Sequence, residues 1–167
     1  GRDINEFGKR NFREKVAAIL QDDFLYAGSI LDNITFFEQK PDIKKAEECA
    51  KLAEIHKTIM KKPMGYNSLL SHLGGSLSGG ERQRMLLARA LYKEPSMIIM
   101  DEATSNVDAF TEKVINNAIS KLKMTRIVIA HRPQTIHNAD RVVVLSSSGL
   151  EKVVYSRISK DSDTKLN

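Results

Sequence analysis

The chain is short of the features that mark unusual protein classes. Its 167 residues include a single cysteine, Cys49, so no intrachain disulfide is possible, which fits a reducing compartment; the thiol reads as a small apolar residue on a helix. No stretch approaches the roughly 18 uncharged apolar residues needed to cross a bilayer, and Gly1-Arg2-Asp3 lacks the character of a signal peptide. The expectation is a soluble or peripheral chain. There is no internal repeat. With 41% hydrophobic and 28% charged residues, the composition excludes fibre, disorder and disulfide scaffold, and supplies one globular core, with or without a subdomain.

The net charge of +5 has the sign that nucleic acid or anionic lipid attracts. The lysines are scattered, however, at Lys44, Lys45, Lys51, Lys57, Lys61, Lys62, Lys121 and Lys123, mostly on helical segments among glutamates. Solvated helix faces account for them, and no nucleic-acid partner is expected.

Val16-Ala17-Ala18-Ile19-Leu20 is a short apolar run without helical spacing, the form of a strand buried on both faces of a parallel sheet. Residues 41–62 carry apolar positions at three- and four-residue steps (Ile43, Ala46, Cys49, Ala50, Ala53, Ile59), with Asp42 placed as N-cap, and predict an amphipathic helix. Pro63, Gly65 and Asn67 break that pattern. A glycine- and serine-rich stretch over 71–80 precedes renewed helical spacing over 81–92. Then follow a strand over 97–101, a helix over about 111–121, and buried strands over 126–130 and 141–145, an alternation that argues for a parallel α/β sheet. Residues 146–149 form a serine-glycine turn, 153–155 suit one further strand, and the polar tail to Asn167 is expected to be mobile.

Leu77-Ser78-Gly79-Gly80-Glu81-Arg82-Gln83-Arg84 leads straight into a helix. A serine and two glycines at a helix start offer unencumbered N–H groups, a hydroxyl and a positive dipole end, which suit phosphate as well as a simple capped glycine turn. The run Met97-Ile98-Ile99-Met100 ends in Asp101-Glu102. Ligand sites of parallel sheets lie at the carboxyl ends of strands, so one carboxylate there can serve Mg²⁺ and the other can orient or deprotonate a water. Ile127-Val128-Ile129-Ala130-His131 repeats the geometry with an imidazole able to donate to a phosphate oxygen. His56, His72 and His137 have no such setting.

In this order and spacing the residues resemble the nucleotide-binding domain of ABC-type exporters over about residues 1–150. Residues 77–83 resemble the ABC signature, 97–102 the Walker B strand, 105–108 the D-loop, His131 the H-loop and Gln21 the Q-loop. The resemblance implies an α/β fold, the P-loop NTPase (RecA-like) parallel sheet, incomplete at the N-terminus, with an inserted α-helical subdomain. Residues 1–23 would end the first part of the core at the Q-loop, 24–80 would form the helical subdomain up to the signature, 81–150 the rest of the core, and 151–167 a C-terminal tail.

The resemblance also implies a function: an ATPase with ATP and Mg²⁺ as cofactors, working as a head-to-tail homodimer that buries two ATP molecules. Asp101 would hold Mg²⁺ through water, Glu102 would activate the hydrolytic water, and His131 would touch the γ-phosphate. Gln21 would sense the Mg²⁺ and the water and link to the membrane domain. Leu77, Ser78, Gly79, Gly80, Glu81 and Gln83 would meet the nucleotide held by the other subunit, with Ser78 and Gly80 on its γ-phosphate; Ser105 and Asp108 would carry communication between the two sites. Residues 22–30 and 32–37 look like the exporter segment that docks a transmembrane coupling helix. Asp22-Asp23 and Phe36-Phe37 are most similar to exporters of colicin V-type bacteriocins, which implies export of a peptide across the bacterial plasma membrane from its cytoplasmic face.

The sequence departs from that pattern in three places. No Gly-x-x-x-x-Gly-Lys-Ser/Thr phosphate loop occurs in it, so it reads as the C-terminal two thirds of such a domain, a fragment without ATPase activity of its own, with an open sheet face and poor solubility. Ser68-Leu69-Leu70-Ser71-His72 stands where an acidic Thr-x-Val-Gly-Glu-like segment is usual, and Ser148-Gly149-Leu150-Glu151-Lys152 blurs the usual ending. Two other readings stand beside the exporter: an ABC-type ATPase without a membrane partner, and a non-catalytic remnant.

Overall fold

The computed structural model describes residues 3–71, 77–101, 106–129, 133–137, 139–146 and 149–155. Helices Ile4–Phe7 (α1) and Lys9–Lys15 (α2) lead into strand Val16–Ile19 (β1). Then come strand Gly28–Ser29 (β2), helices Ile30–Thr35 (α3), Ile43–Leu52 (α4) and His56–Met60 (α5), a 3-10 turn at Gly65–Asn67, and strand Leu69–Leu70 (β3). Helix Gly79–Tyr92 (α6), strand Met97–Asp101 (β4), helix Ala109–Ser120 (α7) and strand Thr125–Ile129 (β5) complete the first of two compact units, Gly1–Ile129. Helix Pro133–His137 (α8) and strands Arg141–Ser146 (β6) and Gly149–Tyr155 (β7) lie in the second, Ala130–Asn167.

The first unit holds a three-stranded parallel sheet in the order β1-β4-β5, as the alternating pattern predicts. Val16 pairs with Met97 and Ile19 with Met100; on the other side Met97 pairs with Thr125 and Asp101 with Ile129. Ser96 fixes this register from below, donating its amide to the carbonyl of Lys15 at 2.8 Å and accepting from the Thr125 amide at 2.9 Å. Ile19, Ile98 and Met100 are buried. β5 departs from the expectation of a buried strand: all five residues are exposed, Ile129 by 49%. Among the described residues β5 pairs only with β4; β1 ends the strand order as well, yet its Ala17 and Ile19 are buried, with α6 and α2 packed on it.

The strand expected over 141–145 is present in the second unit as half of an antiparallel pair. β6 runs antiparallel to β7, with Arg141 opposite Tyr155, and β7 is longer than the three-residue strand the sequence suggests. The turn at 147–148 and the tail from 156 onward fall outside the described residues.

The single helix expected over 41–62 is two helices. Asp42 caps the first as predicted, its carboxylate accepting from the Lys45 amide at 3.0 Å. The chain then turns at Glu54, whose φ of 55° is left-handed. The Glu54 amide donates to the Lys51 carbonyl at 3.0 Å and the Ile55 amide to the Ala50 carbonyl at 2.9 Å, the pair of bonds that closes a helix C-terminus. Buried Ile55 seals the turn apolarly, and α5 starts afresh.

Helix α6 is the structural centre of this unit, packing on α3, α4 and β1. Met85, Leu86, Leu87, Ala88, Ala90, Leu91 and Tyr92 are all buried along it, and each large apolar side chain so removed from water contributes about 1.5–3 kcal/mol. That packing fixes where the helix begins, and therefore where Ser78 stands.

Candidate functional site

The first component is the carboxyl edge of the sheet. Beyond β1 the Asp23 amide donates to the Leu20 carbonyl at 3.1 Å, closing a β-turn, and the Leu20 amide donates back to the Asp23 carboxylate at 2.8 Å. Exposed Gln21 and Asp22 form its tip. Because Ile19 is in register with Met100, the next position places Leu20 level with Asp101, so Gln21 and Asp101 leave the sheet at the same edge. Glu102, Ser105 and His131 lie outside the described residues.

A carboxylate and an amide oxygen on one edge fit Mg²⁺, a hard cation that takes one or two protein oxygens and completes its shell with water and phosphate. Among the described residues no group of three or more His, Cys, Asp or Glu gathers to hold an ion by itself. The donor set therefore suits an ion that arrives with a phosphate ligand.

The second component is the start of α6. Ser78 is its N-cap: the Ser78 hydroxyl oxygen accepts from the Glu81 amide at 3.2 Å, and the Glu81 carboxylate accepts from the Ser78 amide at 2.8 Å. This reciprocal box orients the serine. A hydroxyl has one hydrogen to give, and accepting from Glu81 leaves the Ser78 O–H able to donate to a further acceptor. The amides of Gly79 and Gly80 belong to the first helical turn, which has no intrahelical acceptors for them. Leu77 packs against the core and anchors the approach to the cap.

Gly80 is glycine for a reason within the chain itself. A Cβ built there would lie 2.6 Å from the carbonyl oxygen of Asn106, closer than any side chain is tolerated. Beside this contact the Asn106 amide donates to Gln83 Oε1 at 2.9 Å, so the helix start is joined to the segment after β4. Two residues on, Asp108 caps α7 by accepting from the Thr111 amide at 2.9 Å. That hydrogen bond holds the Asp108 carboxyl below its ordinary value.

A third component flanks α3, from the chain before it and the two residues after it. Phe24, Tyr26, Phe36 and Phe37 are 40%, 38%, 52% and 47% exposed, an aromatic face with Tyr26 at its centre, 4.9 Å from the Phe24 ring and about 6 Å from those of Phe36 and Phe37. Phe36 and Phe37 both have left-handed backbones, at φ 54° and 61°, and both donate their amides to the Asp32 carbonyl, the Phe37 amide at 2.8 Å, closing the C-terminus of α3. An open groove of about 450 Å³ adjoins them, lined among others by Phe36, Glu38, Lys45, Arg89, Tyr92 and Lys93.

Beneath the aromatic face sit two residues that the sequence reading passed over. Asn33 is fully buried; its side chain accepts from the Tyr26 amide at 2.9 Å and donates to the carbonyls of Tyr26 at 2.9 Å and Ser29 at 3.0 Å. Arg89 reaches across from α6 to the Asn33 carbonyl and Asn33 Oδ1, both at 2.8 Å, and to the Phe24 carbonyl at 3.0 Å. Burial pulls the Arg89 guanidinium below its ordinary value, while Tyr26 and Asp23 act the other way. The available signals were an amide between Ile30 and Ile34 and a lone cation inside the apolar run from Met85 to Tyr92.

Comparison with known proteins shows the family. The family model described as ABC transporter matches residues 1–105. Over 143 residues the chain is 46% identical to a probable microcin-H47 secretion/processing ATP-binding protein, MchF, and 45% identical to the colicin V secretion/processing ATP-binding protein CvaB, both of Escherichia coli; each alignment covers 86% of this chain and 20% of the relative. A solved structure of a bacterial Atm1-family ABC exporter with ATP bound superposes with a TM-score of 0.83 at 32% identity, covering 89% of this chain and 26% of that one. The chain thus spans about a fifth of the length of the curated relatives it matches. By its family match and by its likeness to these proteins, the chain belongs to the ABC transporter family.

Proposed function

We propose that the chain forms part of the ATP-hydrolysing domain of an exporter that moves a peptide of the bacteriocin class across the bacterial plasma membrane. The observation that carries this reading is the Ser78–Glu81 capping box at the tip of α6. It leaves one O–H and the first-turn amides of Gly79 and Gly80 directed at whatever anion faces the helix, and in this family that anion is ATP.

Phosphoryl transfer asks mainly for positioning and for donors that share the charge of the equatorial oxygens. Ser78 and Gly80 supply such donors to the terminal phosphate of an ATP held by a second copy. Asp101 and Gln21 supply oxygens toward Mg²⁺, which when bound offsets the phosphate charge. Glu102 orients or deprotonates the attacking water, His131 donates to the phosphate, and Ser105 and Asp108 belong to the contact between the two copies. Because each nucleotide needs surfaces from both copies, ATP acts as the glue of a head-to-tail homodimer.

The exposed aromatic face from Phe24 to Phe37 supports a membrane-domain partner over a freely soluble ATPase. No helix among the described residues is long and apolar enough to cross a membrane. The similarity to MchF and CvaB supports the bacteriocin class. The test is ATP turnover by a full-length exporter carrying these residues, with the 167-residue chain alone as control. Turnover in the exporter, lost in Glu102→Gln and absent from the chain alone, is expected; an exporter whose turnover survives Glu102→Gln contradicts the assignment.

A further inference from the structure

We infer that Gln83 is a positioning residue that locks the tip of α6 to the segment after β4, so that the two surfaces presented to a second copy move as one body. The inference rests on the function proposed above and assigns Gln83 to a contact within its own chain instead of to the nucleotide. Two separate observations carry it. The Gln83 side-chain oxygen accepts from the Asn106 amide at 2.9 Å, and the chain at Gly80 passes so near the Asn106 carbonyl that an added Cβ would stand 2.6 Å from it. Asn106 is thus held at its amide by one residue of α6 and abutted at its carbonyl by another one turn away.

The chemistry follows from the connectivity. Ser78 and Gly80 lie at one end of the lock, and Asp108, fixed to the start of α7 by its bond to Thr111, lies two residues beyond the other. A phosphate that draws the helix tip forward therefore draws the 106–108 segment with it. Without the Gln83 oxygen the two surfaces can approach the second copy separately, and a closed site forms less often although each surface keeps its own groups.

Gln83→Met keeps length and flexibility but has no acceptor oxygen of that kind; Gln83→Glu keeps the oxygen. Amide hydrogen exchange of the full 167-residue chain reads the lock directly: exchange at Asn106 is expected to quicken about fivefold or more in Gln83→Met, the loss of one hydrogen bond, and to stay slow in Gln83→Glu. In a full-length exporter carrying these residues, Gln83→Met should lower kcat about five- to tenfold with KM within about twofold, and Gln83→Glu should restore kcat, the pattern of an interaction made in the closed state. A raised KM at unchanged kcat would make Gln83 a nucleotide contact and overturn the inference, as would unchanged Asn106 exchange or unchanged kcat in Gln83→Met. An exporter that never turns over ATP sinks the proposed function, while the exchange measurement still decides the lock.

Discussion

Arg89 and Asn33 grip each other through two hydrogen bonds of 2.8 Å although 56 residues separate them. Arg89 belongs to the helix that begins at Ser78, and Asn33 shapes the loop that presents the aromatic face. Within one chain, then, the helix that begins at Ser78 also braces, through Arg89, the loop that carries the aromatic face.

Removing that grip should cost stability. Asn33→Ala deletes the acceptor for Arg89 and for the Tyr26 amide and both side-chain donors, leaving a charged group half-buried with fewer partners. Urea unfolding is expected to report a loss of about 3 kcal/mol. Arg89→Lys should not restore the native value, because an ammonium lacks the planar fork that spans three acceptors.

Much of this architecture was legible from local pattern. The β1 and β4 runs, the Asp42 cap and the serine-glycine helix start are decided by neighbours within four residues, where sequence carries the signal. The break at Glu54 was not, because a glutamate takes the left-handed position that glycine usually marks. The antiparallel pairing of β6 with β7 and the exposure of β5 depend on which elements, strands or helices, end up beside each strand, which periodicity does not encode. Asn33, Arg89 and the Gln83–Asn106 bond become visible only once segments distant in sequence are brought together.

The aromatic face should be functional and nearly neutral for folding. Phe36 is 52% exposed, with the Arg89 and Lys93 side chains over its ring at 5.7 and 5.4 Å. Phe36→Ala is expected to change unfolding stability by less than about 1 kcal/mol while lowering export by the full-length protein at least about tenfold, as loss of an anchoring aromatic does at an interface. Export at the native level would show that the face does not carry the membrane-domain contact.

Stability should fall in alkali in two steps. Burial pushes the Cys49 thiol from 9.0 to about 11, opposed by Lys45, and pushes Tyr66 from 10.0 to about 12. Both folded values are raised, so the stabilisation is fully present below the unfolded values and is lost as pH climbs through 9–11 for Cys49 and 10–12 for Tyr66. Urea midpoints measured between these limits should decline with pH, more gently at first in Cys49→Ala and more gently at the top in Tyr66→Phe. Slopes identical to the parent in both variants would assign the decline to other groups.

The most direct test of the account is a structure of a full-length exporter carrying this domain, trapped with ATP by Glu102→Gln. The Ser78 hydroxyl of one copy should lie within about 3 Å of a terminal phosphate oxygen of the ATP bound by the other copy. A nucleotide-filled dimer in which Ser78 meets only solvent or its own chain would contradict it.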